Sequence, residues 1–289
     1  MSDIAALTLN YRDPVRTAAC VRNLLAEGAG HALVWDNSDD NGASAKTLMQ
    51  QFADDARVSV VDAGANLGFS AGVNRGVEWL HGRYPVRFIV LINNDAHLLP
   101  GALDALREAL RTSPEAWAAF PDIDHGGWVR GKVYYQRLTG LISDRALPGA
   151  FMYASGCCLM FSPAVCRNRI FDEDFFMYGE DWELGWRLTG GRQNRMIHVP
   201  RLLVGHEGSA SSGMASIFYE TRMVAAHFIL ARKLARTTVE CGLLVLLRWL
   251  MLGCRALLRA VRHRSLTPIR ALPLGWRIYR KQMVASTAA

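Results

Sequence analysis

A run of five apolar residues that ends in two amides and a carboxylate, Phe88 to Asp95 (FIVLINND), constrains the fold more than any other stretch. An unbroken apolar run of this length is typical of a strand covered on both faces, as in the parallel sheet of an α/β protein. Asp95 cannot lie unpaired inside such a sheet, so we expect it at the strand's carboxyl end, where open α/β sheets bind ligands. With Asn93 and Asn94 beside it, this carboxylate suits Mg²⁺ or Mn²⁺ carried by a diphosphate. A polar turn before the next helix explains the same three residues.

Apolar strands and amphipathic helices alternate through the first hundred residues. Strands are predicted at residues 4–9, 31–35 and 58–61, and helices at 15–27 and 44–52. The short connections favour a parallel sheet with right-handed crossovers. The second strand ends in Asp36-Asn37-Ser38, so acids and amides collect again at a strand's carboxyl end.

A glycine-rich stretch, Asn66 to Gly76 (NLGFSAGVNRG), follows the third predicted strand. Gly68 and Gly72 permit positive φ or a close approach of backbone to a ligand, and the helix that follows, residues 70–81, would turn its amino end towards an anion. The glycine spacing and the position after the third strand differ from the dinucleotide-binding fingerprint. A tight turn with helix packing is an equally good interpretation.

The middle of the chain carries two further candidate groups. Glu180 and Asp181 open a predicted helix beside aromatic residues, so they fit either a general base or carboxylates that stabilise the helix amino end. His206 follows an apolar strand and opens a loop, which suits a metal or phosphate ligand or a histidine bonded only to backbone. Residues 151–161 are predicted as one buried strand with a close approach at Gly156, and residues 125–149 as a surface loop or hairpin that shapes the substrate pocket, together with the loop 207–213.

Composition narrows the class of protein. The net charge of +7 and pI of about 9.3 favour a polyanionic partner: nucleic acid, an anionic membrane surface or a phosphorylated substrate. The six cysteines have neither zinc-site nor disulfide-framework spacing, so we expect reduced, buried thiols. The first ten residues contain no signal-peptide core, which indicates a cytosolic protein.

The carboxyl-terminal region differs from the rest, with predicted helices at residues 215–235 and 241–262. In the second helix four arginines share one stripe and leucines cover the remainder; they are Arg248, Arg255, Arg259 and Arg262. The apolar segments are shorter than a transmembrane helix requires. We therefore expect a helix in the membrane interface with its arginines towards lipid phosphates. A helix packed on the domain or on a second subunit is the alternative.

Taken in order, these motifs resemble the family 2 glycosyltransferases of GT-A fold, and among them the bacterial rhamnosyltransferases of O-antigen and exopolysaccharide synthesis. The resemblance runs from about residue 4 to about residue 233 and rests on Asp36-Asn37-Ser38, Asn66 to Gly76, Asn93-Asn94-Asp95, Phe176 to Leu184 and His206. It implies an α/β fold with a mostly parallel sheet and a GT-A catalytic domain over residues 1–213, and the pattern of the carboxyl-terminal helices adds a helical, membrane-associating region over residues 214–289.

The resemblance also implies roles for individual residues. Asp181, with Glu180 beside it, matches the base that deprotonates the acceptor, while Asp95 and His206 match the groups that hold Mg²⁺ or Mn²⁺. The implied contacts to the nucleotide sugar come from Asn10, Asp36, Asn66, Gly68, Asn74, Arg75 and Asn94. Asn93 stands where many relatives have a first aspartate.

The function implied is inverting transfer of a sugar, with rhamnose the first candidate, from a nucleotide donor to a lipid-linked or oligosaccharide acceptor at the cytoplasmic membrane. We expect no nucleic-acid partner, and a homo-oligomer remains open. Two alternatives fit parts of the sequence: a sugar-nucleotide nucleotidyltransferase, and a non-catalytic module that binds membrane or nucleic acid through its basic tail.

Overall fold

The computed structural model describes residues 2–166, 169–190, 194–206 and 216–288. A nine-stranded mixed sheet forms its centre, in the order β3-β2-β1-β4-β11-β6-β12-β5 with β7 on β6, and a second sheet has the order β10-β8-β9. The strands are β1 Ile4–Asn10, β2 His31–Asp36, β3 Val58–Asp62, β4 Phe88–Ile92, β5 Ala96–Leu98, β6 Ala118–Asp124, β7 Val129–Arg130, β8 Val133–Gln136, β9 Ile142–Ser143, β10 Ala150–Tyr153, β11 Cys158–Phe161 and β12 Met196–His206. The helices are α1 Pro14–Ala26, α2 Ala43–Gln51, α3 Phe69–His81, α4 Ala102–Arg111, α5 Pro163–Cys166, α6 Glu180–Thr189, α7 Ile217–Leu234, α8 Thr238–His263 and α9 Thr267–Ala288.

The predicted α/β architecture is confirmed, and the predicted common strand direction holds for six of the nine strands of the central sheet. β3, β2, β1 and β4 run parallel, with Asn10 opposite Asp36 and Asp36 opposite Asp62. β11 then enters antiparallel between β4 and β6. All five residues of β4 are buried, as the apolar run predicts. The polar residues that follow β1, β2 and β4 therefore share one edge of the sheet.

Three apolar clusters fill the molecule. One lies between the sheet and α1, α2 and α4, and another covers the opposite face with α3 and α6. The third joins the second sheet to α6, α7, α8 and α9, where Phe228 contacts the rings of Trp249, Trp276 and Tyr279. Residues on both sides of position 213 thus share one core. The expected boundary between residues 213 and 214 lies outside the described residues.

The strand predicted over residues 151–161 is two strands that belong to different sheets. β10 pairs with β8, and β11 pairs with β4 and β6. Ser155 and Gly156 lie at the break, which the sequence marked as a close approach within one strand. The predicted surface loop at 125–149 contributes β7, β8 and β9. The loop predicted at 207–213 lies outside the described residues.

Three of the four arginines in the stripe of α8 face the protein, which corrects the expectation that the stripe faces lipid, and Arg262 is exposed. Arg248 is fully buried and donates hydrogen bonds to the carbonyl oxygens of Arg137 and Leu138. Arg255 and Arg259 contact the buried carboxylate of Glu220 on α7, at 2.7 Å and 2.6 Å. Burying an arginine costs free energy unless hydrogen-bond acceptors or a carboxylate replace its hydration. These contacts supply such partners, so this face of α8 packs against the protein interior.

Two further sequence expectations about this helix are wrong. Among the residues that the structure describes, α8 is the one helix long and apolar enough to cross a membrane, with a mean hydropathy of 1.8 over its best window. Its Cys254 is exposed, whereas Cys20, Cys157 and Cys158 are buried as expected.

Candidate active site

Asp36 is held in a buried polar pocket at the carboxyl end of β2. Its Oδ1 accepts hydrogen bonds from Asn10 Nδ2 at 2.8 Å and from the Ser38 backbone N–H at 3.1 Å, and it also contacts the Ser38 hydroxyl. Its Oδ2 is buried and has no hydrogen-bond partner within the described part of the chain. A buried carboxylate oxygen without a donor costs free energy, so this atom is poised to accept a hydrogen bond from a ligand.

A chain of side-chain hydrogen bonds connects Asp36 to the end of β4. Asn94 Nδ2 donates to Thr17 Oγ1 at 2.9 Å, and Thr17 Oγ1 lies 2.7 Å from Asn10 Oδ1. Asn10 Nδ2 then donates to Asp36 and Ser38. The amide of Asn10 is thereby engaged at both ends, so Asn10 acts by positioning Asp36. The ends of β1, β2 and β4 form one rigid polar edge.

Asp95 and His206 meet at this edge from distant parts of the chain. His206 Nε2 lies 3.1 Å from Asp95 Oδ1, and both side chains are about nine-tenths buried. β5, which directly follows Asp95, pairs antiparallel with β12 and brings His206 opposite Ala96. The pairing of these two strands therefore fixes the contact.

A second imidazole, from His125, adjoins the pair. His125 Nδ1 lies 3.0 Å from His206 Nδ1, and the two rings pack edge to face. Burial and the nearby His206 lower the pKa of His125, so its ring is neutral at physiological pH. Local pattern does not single out His125, because the residue lies in the stretch without clear periodicity after β6. Its position directly after a strand could have marked it as a site residue.

The donor set fits a divalent cation that is shared with a substrate. Among the described residues, no group of three His, Cys, Asp or Glu side chains is arranged as a complete metal site. Mg²⁺ and Mn²⁺ are commonly bound through one or two protein ligands together with substrate phosphates and water, and a carboxylate oxygen with an imidazole suits Mn²⁺. Asp95 and His206 meet that requirement.

Asp181 lies at the amino end of α6, on one side of Gly156, and Phe69 from the start of α3 lies on the other. An added Cβ at Gly156 would lie 4.0 Å from Asp181 Cβ and 3.6 Å from the ring of Phe69. Asp181 Oδ1 accepts the backbone N–H of Trp182 at 2.9 Å. Burial raises the pKa of Asp181 from its ordinary value to about 7. A carboxylate with a pKa near the working pH is well suited to accept a proton from a substrate hydroxyl.

Glu180 is buried directly beside Asp181. Burial, and then the negative charge of Asp181, raise the pKa of Glu180 well above its ordinary value. Its Oε2 has no hydrogen-bond partner among the described residues. Two adjacent carboxyl groups in a dry site do not ionise together, so Glu180 keeps its proton when Asp181 loses one.

The glycine-rich loop is joined to the segment that precedes α6. Phe69 N–H donates to the carbonyl oxygen of Phe176 at 2.7 Å, and Asn37 Nδ2 donates to the carbonyl oxygen of Gly68 at 2.8 Å. Gly68 has φ of +80°, and a Cβ there would meet Phe176 O at 2.4 Å, so only glycine fits. The loop is thereby fixed between β2 and the segment that carries Asp181.

Three of the residues predicted to contact the nucleotide do not belong to the polar sheet edge that carries Asp36 and Asp95. Asn66 Oδ1 caps the loop by accepting from Gly68 N–H, and Arg75 is exposed and paired with Glu78. Asn74 is buried and makes four hydrogen bonds to residues 170, 171 and 173. These bonds use both amide hydrogens and both lone pairs, which leaves Asn74 no group for a nucleotide.

The mixed sheet flanked by helices has GT-A architecture, and its edge carries the Asp36 pocket and the contact between Asp95 and His206. Two solved structures share the fold. GalNAc-T7 with UDP, GalNAc and Mn²⁺ matches with a TM-score of 0.56 and 11% identity, over 80% of this chain and 50% of that chain. The mannosyltransferase PcManGT from Pyrobaculum calidifontis with GDP-Man and Mn²⁺ matches with a TM-score of 0.55 and 13% identity, over 99% and 75%.

The sequence profile of glycosyl transferase family 2 matches residues 15–169, and the chain belongs to that family. An N-acetylglucosaminyl-diphospho-decaprenol L-rhamnosyltransferase from Mycobacterium tuberculosis is 28% identical over 213 residues, covering 60% of this chain and 66% of the relative. The chain thus matches slightly less than two thirds of that relative's length. The resemblance inferred from the sequence is confirmed, and nothing observed favours the nucleotidyltransferase or non-catalytic alternatives.

Proposed function

We propose that the protein is an inverting glycosyltransferase that moves a sugar from a nucleoside diphosphate to a hydroxyl group of a lipid-linked or oligosaccharide acceptor. The observation that carries the proposal is the contact between Asp95 and His206, made beside Asp36 at one sheet edge. Rhamnose is the first sugar to test, since the mycobacterial relative is named as an L-rhamnosyltransferase.

On the donor side, Asp36 Oδ2 would accept a hydrogen bond from the nucleotide base, because it is the buried oxygen that lacks a donor. The loop from Asn66 to Gly68 would lie against the nucleotide, and Asn94 and Arg75 remain candidate contacts. Asn10 would act through Asp36. We leave Asn74 out, because its hydrogen bonds are all made within the protein.

On the diphosphate side, Asp95 and His206 would hold Mg²⁺ or Mn²⁺, with His125 behind His206 to orient its ring. A bound divalent cation would supply positive charge to stabilise the diphosphate as a leaving group. Because the pKa of His125 is lowered, its ring is neutral and adds no positive charge that would repel a cation held by Asp95 and His206.

On the acceptor side, Asp181 would take the proton from the attacking hydroxyl group. The hydroxyl oxygen forms a bond to the anomeric carbon as the bond from that carbon to the diphosphate oxygen breaks, and the electron pair leaves with the diphosphate. Attack from the opposite face inverts the anomeric centre. Glu180, kept protonated, would maintain the dry and neutral surroundings that hold the pKa of Asp181 near 7.

We place the reaction at the cytoplasmic face of the membrane, where a lipid-linked acceptor presents its glycan. Residues 1–213 would bind the sugar donor and provide the catalytic base, and residues 214–289 would bind the membrane. The basic charge would serve an anionic membrane and phosphorylated substrates, with no nucleic-acid partner. A homo-oligomer is compatible with this arrangement.

A thermal-shift screen of nucleoside diphosphates and nucleotide sugars, each with and without Mn²⁺, tests the donor half of the proposal. Ligand at about 100 times its Kd stabilises the folded chain by about 2.7 kcal/mol. We expect stabilisation that requires both one nucleotide and the metal, that is reversed by a chelator, and that is lost in Asp95→Ala.

Asp36→Asn and Asp62→Asn form a matched pair for the base-binding part. The two residues are register partners on β2 and β3, but Asp62 is exposed. Asp36→Asn should weaken nucleotide binding by about 10- to 100-fold, because a hydrogen bond to a charged group contributes about 1.5–3 kcal/mol. Asp62→Asn should bind as the parent does. Metal-independent binding, or equal effects of the two variants, would contradict the proposal.

A further inference from the structure

Helix α8 presents an apolar surface to solvent over most of its length. Between Cys241 and Val261, each position that the structure shows as exposed is apolar, glycine or cysteine. We call the main exposed positions the leucine face: Leu243, Leu246, Leu250, Leu257, Leu258 and Val261, which are 51–80% exposed. At 100° per residue these positions fall within an arc of about 120°, so they form one continuous stripe.

Apart from Arg262, which is exposed near the end of α8, the charged side chains of α8 point the other way. Arg248, Arg255 and Arg259 are bound to carbonyl oxygens or to Glu220, and Glu240 pairs with Arg137. A helix on a protein surface normally buries its apolar stripe and exposes its charges. The reversed arrangement means that the leucine face is made for an apolar environment outside the folded chain.

The charge around this helix identifies that environment. Residues 241–289 contain nine of the chain's 33 basic residues and none of its 26 acidic ones, so they carry +9, and residues 1–240 carry −2. Beyond the leucine face, Arg262, Arg264, Arg270, Arg277 and Arg280 are exposed. An apolar stripe bordered by exposed cations complements the surface of an anionic phospholipid bilayer, which offers acyl chains beneath negative phosphates.

The contacts of α8 decide how it would meet the bilayer. It is fixed to the domain near its start through Glu240, in its middle through Arg248, and near its end through Arg255 and Arg259. A helix bound along one side to a water-soluble domain cannot cross the hydrocarbon core while those bonds persist. Its length and hydropathy would permit a span, but its contacts require it to lie in the plane of the interface.

We propose that α8 lies in the interface of an anionic phospholipid bilayer, with the leucine face inserted among the acyl chains and the basic residues after Val261 contacting lipid phosphates. The orientation is the reverse of the one expected from the sequence, in which the arginine stripe met the lipid. The end of α8 contacts Glu220 on α7, and Arg222 on the same helix lies 4.2 Å over the ring of Phe176, so the inserted helix is joined to the segment before Asp181. On the proposed function, this brings the base close to a lipid-linked acceptor.

Co-sedimentation of the purified full chain with vesicles tests the proposal without donor or acceptor. The vesicles are phosphatidylcholine alone or phosphatidylcholine with phosphatidylglycerol. The test variant is Leu246→Glu with Leu250→Glu, and the matched control is Val15→Glu with Met49→Glu on α1 and α2, which are also exposed. The test variant should partition at least about tenfold more weakly, since burial of each leucine side chain contributes more than a tenfold effect. The control should bind as the parent does.

A fluorophore attached at Cys254, on the same surface as the leucine face, reports insertion directly. Its emission should shift to the blue with anionic vesicles, and the signal should be absent in Cys254→Ser. High salt should weaken binding, because the cations after Val261 contribute through lipid charge. Circular dichroism establishes that each variant is folded.

Three outcomes would overturn the proposal. Undiminished pelleting of the folded leucine variant would show that the leucine face does not insert. The parent chain could instead fail to bind vesicles and be dimeric by light scattering, while the leucine variant is monomeric. That result would show that the leucine face contacts a second copy of the chain. Resistance to alkaline carbonate extraction would indicate a spanning helix. Because none of these measurements uses a sugar donor, a failed transferase assay would leave their result unaffected.

Discussion

Asp181 is the residue whose ionisation should govern the reaction. Its carboxyl group must be ionised to accept the proton, and burial raises its pKa to about 7. We therefore expect kcat/KM to fall about tenfold per pH unit below pH 7. Asp181→Asn should lower kcat by about 100- to 10,000-fold. Glu180→Gln should keep the acid limb at the same pH, because Glu180 is protonated throughout that range. A pH–rate profile for the three proteins measures this.

The raised pKa of Asp181 also makes the stability of the folded chain depend on pH. Unfolding measurements therefore show, independently of activity, whether the Asp181 variant is folded and lacks this group. Between about pH 4 and pH 7 the unfolded chain releases the proton of Asp181 while the folded chain keeps it. The unfolded state then binds fewer protons, so the free energy of unfolding decreases as pH rises through this interval. Urea unfolding at pH 5 and pH 8 should show a smaller decrease in Asp181→Asn. An unchanged acid limb in that variant would contradict the role of Asp181.

The site residues that could be predicted from the sequence are those that come at the end of an apolar strand, because the strand fixes where they lie. Asp36, Asp95 and His206 are of this kind, and all three lie at the expected edge. Local pattern does not say which groups a side chain contacts. Asn74, for example, is committed to the segment 170–173, and His125 becomes visible only when β6 is placed next to β12.

At the scale of elements, the attachment of α8 to α7 depends on Glu220. This carboxylate is fully buried and contacts both Arg255 and Arg259. Glu220→Gln should reduce the free energy of unfolding by about 3–5 kcal/mol, because it leaves two cations without their counter-ion. Urea denaturation of the purified variant measures the loss.

Asp55→Asn provides the comparison for Glu220. Asp55 also pairs with an arginine, Arg57, but at the surface, where solvent weakens an ion pair, so its replacement should lower the free energy of unfolding far less. Equal losses in the two variants would mean that the contact between α7 and α8 does not depend on the buried carboxylate.

Helical periodicity predicted both faces of α8 but not which face the domain covers. A stripe of four arginines opposite leucines is compatible with either orientation, and the acceptors that decide between them, Glu220 and the carbonyl oxygens of residues 137 and 138, lie far away in the sequence. The break at Ser155-Gly156 was misjudged for a related reason. The pairing of each half is set by partners, β8 for one and β4 for the other.

At the scale of the whole molecule, residues 214–289 complete the core. Phe228 and Leu230 on α7 are fully buried in a cluster with Phe151 and Trp182 from the catalytic part. Removal of residues 214–289 should therefore give a chain that is insoluble or lacks a cooperative unfolding transition. Truncation after residue 264, which retains α7 and α8, should preserve cooperativity with reduced stability. Thermal unfolding followed by circular dichroism distinguishes these results, and a cooperative, fully stable 1–213 fragment would contradict the prediction.

The arrangement of the parallel half of the sheet was predictable, because strand and helix alternate there with short links. The antiparallel insertion of β11 and the pairing of β12 with β6 and β5 were not, because these strands pair across long separations that no local pattern records. The expected mostly parallel sheet is confirmed, since β3, β2, β1, β4, β6 and β12 run in one direction, and β11, β5 and β7 run against them.

The pairing of β5 with β12 also sets the order in which the protein acquires its parts on the ribosome. β1 to β4 and the Asp36 pocket lie within the first hundred residues, whereas His206 is 111 residues beyond Asp95. At about 5–20 residues per second, roughly 5 to 20 s pass between the synthesis of the two partners. A nascent chain can thus complete the Asp36 pocket well before Asp95 and His206 meet, and on the proposed function it would hold no cation for a sugar nucleotide during that interval.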